Sequence, residues 1–114
     1  MATDQSTVDY IMDQLSEISG ASARKMFGEY GIFCDSKTVA LICNNQLFVK
    51  PTVEGRTLAV GATEMPPYRG AKPSLLIDAE LWDDRDWLVK LIITTAKALP
   101  EPPPKRQKKA KPSN

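Results

Sequence analysis

No histidine occurs anywhere in the 114 residues. That absence removes the usual acid or base of neutral pH, the commonest nitrogen ligand for a metal, and any Ser-His or Cys-His nucleophile. Cysteine is nearly as scarce. Cys34 and Cys43 are the only two, too few for a disulfide framework and wrongly spaced for a Cys-x-x-Cys site, so both are read as free, buried thiols. No apolar run approaches the roughly 20 residues that span a bilayer. Met1 to Gln5 lacks the positive and apolar regions of a secretory signal, and the default expectation is a cytoplasmic protein.

The remaining chemical signals are near misses. Gly55 and Gly61 have the spacing of phosphate-loop glycines, but Ala62-Thr63 follows where Lys-Ser/Thr is required, which excludes a Walker site. Asp83, Asp84 and Asp86 lack the glycine and the distant bidentate Glu of a calcium loop, and helix capping accounts for them better. Arg69-Gly70-Ala71-Lys72 could offer backbone donors and two cations to an anion; an ordinary solvated turn is the favoured reading. No catalytic residue, cofactor or metal is expected, and the chain is read as a non-enzyme.

The composition is that of an ordinary soluble protein, with 42% hydrophobic and 25% charged residues, and it gives no reason to expect disorder over the body. The charge is unevenly placed. Residues 100–114 hold five Lys or Arg against one Glu, a net +4, which leaves ten against thirteen, a net −3, over residues 1–99. A folded domain over 1–99 and a Pro/Lys-rich basic tail over 100–114, disordered in isolation, are therefore expected. The tail residues Lys105, Arg106, Lys108, Lys109 and Lys111 could hold nucleic acid weakly through phosphates, without sequence choice.

Within the body, Ser6 suits an N-cap, Asp9 the first turn, and Val8, Ile11, Met12, Leu15 and Ile18 one helical face, so a helix is predicted over residues 7–18, with Gly20 as its stop. From Arg24 to Lys50 the residues turn β-branched and aromatic, broken at Asp35-Ser36-Lys37 and Asn44-Asn45, which predicts a three-stranded antiparallel meander. A four-residue loop Asp35–Thr38 would set Cys43 opposite Tyr30, and a two-residue turn at Asn44-Asn45 would set Phe48 opposite Leu41. That register puts Phe33, Ala40, Ile42, Leu47 and Val49 on the core face. Tyr30, Ile32, Leu41 and Phe48 fall on the other, which is too apolar to be solvated. A helix of the same chain is the favoured cover, with a homodimer or partner surface as the alternative.

Pro51 ends the third strand. Residues 53–60 suggest a short helix ended by Gly61, Met65 to Pro73 a loop, and Leu75-Leu76-Ile77 a short strand. Asp83 or Asp84 caps a final helix whose stripe is Trp87, Leu88, Leu91, Ile92 and Leu99. The order of elements predicts a two-layer α+β domain, an antiparallel sheet packed by N- and C-terminal helices.

One motif stands out. Arg24-Lys25-Met26-Phe27-Gly28-Glu29-Tyr30-Gly31-Ile32-Phe33 joins a basic pair, two glycines and three aromatic rings inside ten residues. From the residues alone, Arg24 and Lys25 read as a solvated strand face, Met26 and Phe27 as inward-packing, and the glycines as a bulge or a place of close approach. The stretch also resembles the opening hairpin of the TfoX N-terminal domain family, whose members carry a basic residue, Met-Phe-Gly, a short variable step and a second Gly before a strand. The resemblance covers roughly residues 7–99. It implies the same α+β arrangement and a regulatory role linked to natural competence, with no reaction attached. Competence regulators of this family add a helical C-terminal domain for which the chain has no room, so a stand-alone relative is implied. The leading expectation is a regulatory or adaptor protein that contacts a protein partner through Arg24, Lys25, Phe27 and Tyr30. The alternative is a nucleic-acid-associated factor tethered by its tail. A small-molecule binder with the Met65–Pro73 loop as lid stands third.

Overall fold

Apolar residues spaced by three and four, then by two, fix the element types, and a computed structural model of the protein describes residues 3–26 and 28–100. Helix α1 (Gln5–Gln14) starts one residue before Ser6, with Asp4 at its N-cap, and turns carry the chain on through Ile18. Its predicted stripe is the one that packs: Val8, Ile11 and Leu15 are buried, and Met12 and Ile18 lean on the core. Each fully buried aliphatic side chain contributes roughly 2 kcal/mol. Gly20 does not stop the helix through a left-handed conformation. Its carbonyl accepts from Asp35 N at 2.9 Å, and a Cβ there would collide with the Asp35 carboxylate.

The antiparallel meander has four strands: β1 (Ala21–Met26), β2 (Glu29–Cys34), β3 (Lys37–Cys43) and β4 (Gln46–Val49). The first predicted strand is broken because Gly28, at φ +83°, reverses the chain. After α2 (Val53–Leu58) come β5 (Glu64–Met65) and β6 (Ser74–Ile77), then α3 (Ala79–Trp82) and α4 (Arg85–Ala98). The sheet is open and its order is β1-β2-β3-β4-β6-β5. One hydrophobic core joins α1, α3 and α4 to the near face of the sheet, through Ile11, Leu15, Trp82, Leu88, Leu91 and Ile92 against Ile32, Ala40, Ile42, Leu47, Val49, Leu75 and Ile77.

Register separates what was expected from what is found. The Asn44-Asn45 turn, both residues at positive φ, pairs Leu41 with Phe48 and Ala40 with Val49, as predicted. The earlier turn is two residues, not four: Asp35 takes φ 56°, and Cys34 pairs with Lys37. Tyr30 therefore faces Ile42 and Ile32 faces Ala40, with Val39 as the extra residue of a bulge before Phe33 meets Thr38. This slip moves Ile32 into the core and Phe33 to the second face, because side chains alternate along a strand. Tyr30 moves to the helix side too, and Cys43 does not sit opposite it.

The last helix is capped as the sequence allows. Asp84 is the cap, its carboxylate accepting from Trp87 N at 3.2 Å, while Asp83 accepts instead from the Tyr10 hydroxyl. No helix among the described residues is long and apolar enough to cross a membrane. The tail residues Lys105, Arg106, Lys108, Lys109 and Lys111, and Phe27 of the hairpin, lie outside the described residues.

Candidate functional site

The β1–β2 hairpin sorts its motif by strand alternation. Arg24 pairs with Gly31 and points to the second face, where its guanidinium lies 5.1 Å from the centroid of the Phe33 ring. That distance suits a cation–π contact. Gly31 makes room for it: a Cβ there would stand 2.8 Å from Met26 Sδ and 3.1 Å from Phe33 Cε1. Met26 consequently lies on the second face and not in the core. Lys25 pairs with Tyr30 on the helix side, where Tyr30 packs against the core and its hydroxyl donates to Gln5 Oε1 at 2.9 Å. The hairpin thus brings Lys25 and Tyr30 together and sets Arg24 on the opposite face.

A second set of residues, unmarked in the sequence, fixes the hairpin tip. Glu29 Oε1 accepts from Thr3 N at 2.9 Å, and Oε2 accepts from Asn44 N at 3.1 Å. Asn45 Oδ1 accepts from Asp4 N and from the Thr7 hydroxyl, at 2.9 and 2.8 Å. Asn45 N in turn donates to Thr3 Oγ1, which donates to the Ile42 carbonyl. These bonds join the segment before α1 to both turns at one end of the sheet. Their partners are 15 to 42 positions apart, so no local pattern could reveal them; the polar pair Asn44-Asn45 was the only visible trace.

The second sheet face is covered differently from expectation. Phe48, 2% exposed, and Cys43 are buried there but stand outside the helix-packed core. The cover comes from the Met65–Pro73 loop and not from a helix. Met65 pairs with Ser74, so residues 66–73 form the loop of the β5–β6 hairpin, and Tyr68 faces Met26 and Leu41 across two cavities of about 360 Å³ each. In the Arg69–Lys72 turn the Ala71 N–H is already engaged by the Tyr68 carbonyl at 3.1 Å, as in an ordinary turn.

The titrating groups suit a scaffold. Burial pushes the Cys34 and Cys43 thiols up, helped by the neighbouring Asp35 and Glu29 carboxylates, which keeps both protonated and poorly nucleophilic at neutral pH. Among the described residues no group of three or more Cys, Asp or Glu could hold a metal ion. Arg56 and Glu64 pair at 2.8 Å on the surface, which lowers the carboxyl pKa. Lys37 Nζ donates to the Ala96 carbonyl at 2.8 Å, near the negative end of α4.

Most of the chain matches a known family. The TfoX N-terminal domain matches residues 13–99. An "Uncharacterized 12.7 kDa protein in trpE 5'region" of Spirochaeta aurantia is 34% identical over 108 residues, which is 95% of this chain and 93% of that protein.

Proposed function

The chain belongs to the TfoX N-terminal domain family, and from that premise we propose that it is a small regulatory or adaptor protein of the cytoplasm that works by contacting a protein partner. One observation carries the reading. Among the described residues β1 stands at the sheet edge with no strand on its outer side, and it exposes Arg24 on one face and Lys25 on the other. An edge with unpaired backbone groups and flanking cations can take up an extended segment bearing acidic side chains. Tyr30 and Phe27 complete the proposed contact region. Within this class, the family's association with competence makes a transcription-regulating assembly the first partner to seek.

Partners are recovered with the wild type and with an Arg24→Glu/Lys25→Glu variant. The reading expects a specific protein to be lost from the variant; an unchanged set of partners would remove the hairpin from the proposal. The charge asymmetry supports a second reading, a weak nucleic-acid tether through Lys105, Arg106, Lys108, Lys109 and Lys111. Retention of DNA or RNA by the full chain and by a chain ending at Leu99 separates the two, since equal retention at low salt rules out the tether.

A further inference from the structure

The two cavities on the second sheet face share Met26, Leu41 and Tyr68. Each is about 360 Å³, within the range of small-molecule sites, roughly 300 to 1,000 Å³. The chemistry of their two ends differs. The first cavity extends to Cys43 and to Glu29, whose carboxylate oxygens are already taken by Thr3 N and Asn44 N. The second opens to Lys50 and Lys72, two exposed cations with no hydrogen-bonded or ion-paired partner among the described residues. Between the ends the lining is thioether, aliphatic and aromatic.

We propose that this face binds a free amphipathic monocarboxylate, its chain along Met26 and Leu41 beneath Tyr68 and its carboxylate held by Lys50 and Lys72. Charge complementarity selects this occupant. A cationic amphiphile meets two lysines, and a dicarboxylate brings its second charge toward Glu29. The chain's own tail is a poor occupant, since its lysines repeat the sign of the lysine end. An alkyl chain leaves no backbone polar groups to satisfy on the apolar floor, as a bound peptide would. The first cavity shares Tyr30 with the proposed contact region, but Lys50 and Lys72 lie outside that region, so the lysine variant tests this site without altering the residues of the partner reading.

The test is titration of the full chain with sodium decanoate below its micelle concentration, followed by calorimetry and by the methyl NMR signals of Met26 and Met12. Saturable one-to-one binding that moves Met26 and leaves Met12, on the helix side, in place is expected. Lys50→Glu/Lys72→Glu should weaken binding by at least about tenfold, and Tyr68→Ala by a similar factor. Decyltrimethylammonium, tested on the wild type, should not bind, which keeps the proposal exposed even if a variant misfolds. A stationary Met26 signal, equal affinity for the cationic amphiphile, or unweakened binding by a folded lysine variant overturns it. Two further outcomes also do so: phosphatidylglycerol vesicles moving Met26 where decanoate does not, and sedimentation of the free chain as a dimer with this face occupied by a second copy.

Discussion

Met26 Sδ occupies the space beside Gly31 that any larger residue's Cβ would need, at 2.8 Å. In a strand an alanine would ordinarily gain about 0.4–1 kcal/mol over glycine through the unfolded chain, but overpacking costs about 1–3 kcal/mol. Gly31→Ala should therefore lower stability by about 1 kcal/mol. In a Met26→Ala background the penalty should shrink, leaving the Phe33 ring as the remaining obstacle. Urea unfolding of the four chains in a double-mutant cycle measures the coupling.

Thr95 carries the opposite sign. Its hydroxyl is buried on α4 without a hydrogen-bond partner among the described residues, facing Gly55 of α2. An unsatisfied buried hydroxyl is costly, so the near-isosteric Thr95→Val should raise stability by about 1 kcal/mol. A fall in the denaturation midpoint at unchanged slope would show that the hydroxyl has a partner.

Asn45 has two duties, a left-handed turn at φ 60° and acceptance of bonds from Asp4 and Thr7. Asn45→Gly keeps the first and loses the second; Asn45→Ala loses both. The expected order of loss is Ala, then Gly, with Asn45→Ala costing about 2 kcal/mol. Asn44→Gly should be near neutral, because only its backbone N–H is used, to Glu29. Equilibrium unfolding ranks the three.

Alkaline pH should destabilise the fold through its thiols. Cys34 and Cys43 are raised above the ordinary value of 9.0 by burial, so on basification the unfolded chain loses those protons first. Their contribution is whole below that value and drains away as the pH climbs through the folded values. Tyr10, raised by its hydrogen bond to Asp83, acts in the same sense. In a Tyr10→Phe background, Cys34→Ala/Cys43→Ala should flatten the fall in stability measured from about pH 7 to about pH 10. An unchanged slope would mean that the thiols titrate alike in both states.

Parts of the proposed contact region could be named from the sequence, but their arrangement could not. Arg24, Lys25 and Tyr30 stand out as a basic pair beside an aromatic. That Lys25 meets Tyr30 while Arg24 lies over Phe33 depends on the turn at Gly28, which divides one expected strand into two. The clasp of Thr3, Glu29 and Asn45 was hidden for a different reason, since its members are ordinary polar residues whose partners lie far along the chain. The short α3 and the two-residue β5 carry too few residues for any periodicity to register.

Sequence by itself determined the absence of histidine chemistry, the two amphipathic helices, the β character of residues 24–49 and the pairing across Asn44-Asn45. Tertiary structure alone decided which side of the sheet Ile32 and Phe33 occupy and what covers the far side. Alternation with period two is identical for either register, so the one extra residue of the bulge at Val39 reverses every assignment of β2 against the rest of the sheet. The choice falls to packing against α1 and α4, which takes Ile32 into the core and leaves the second face to Tyr68 and its loop.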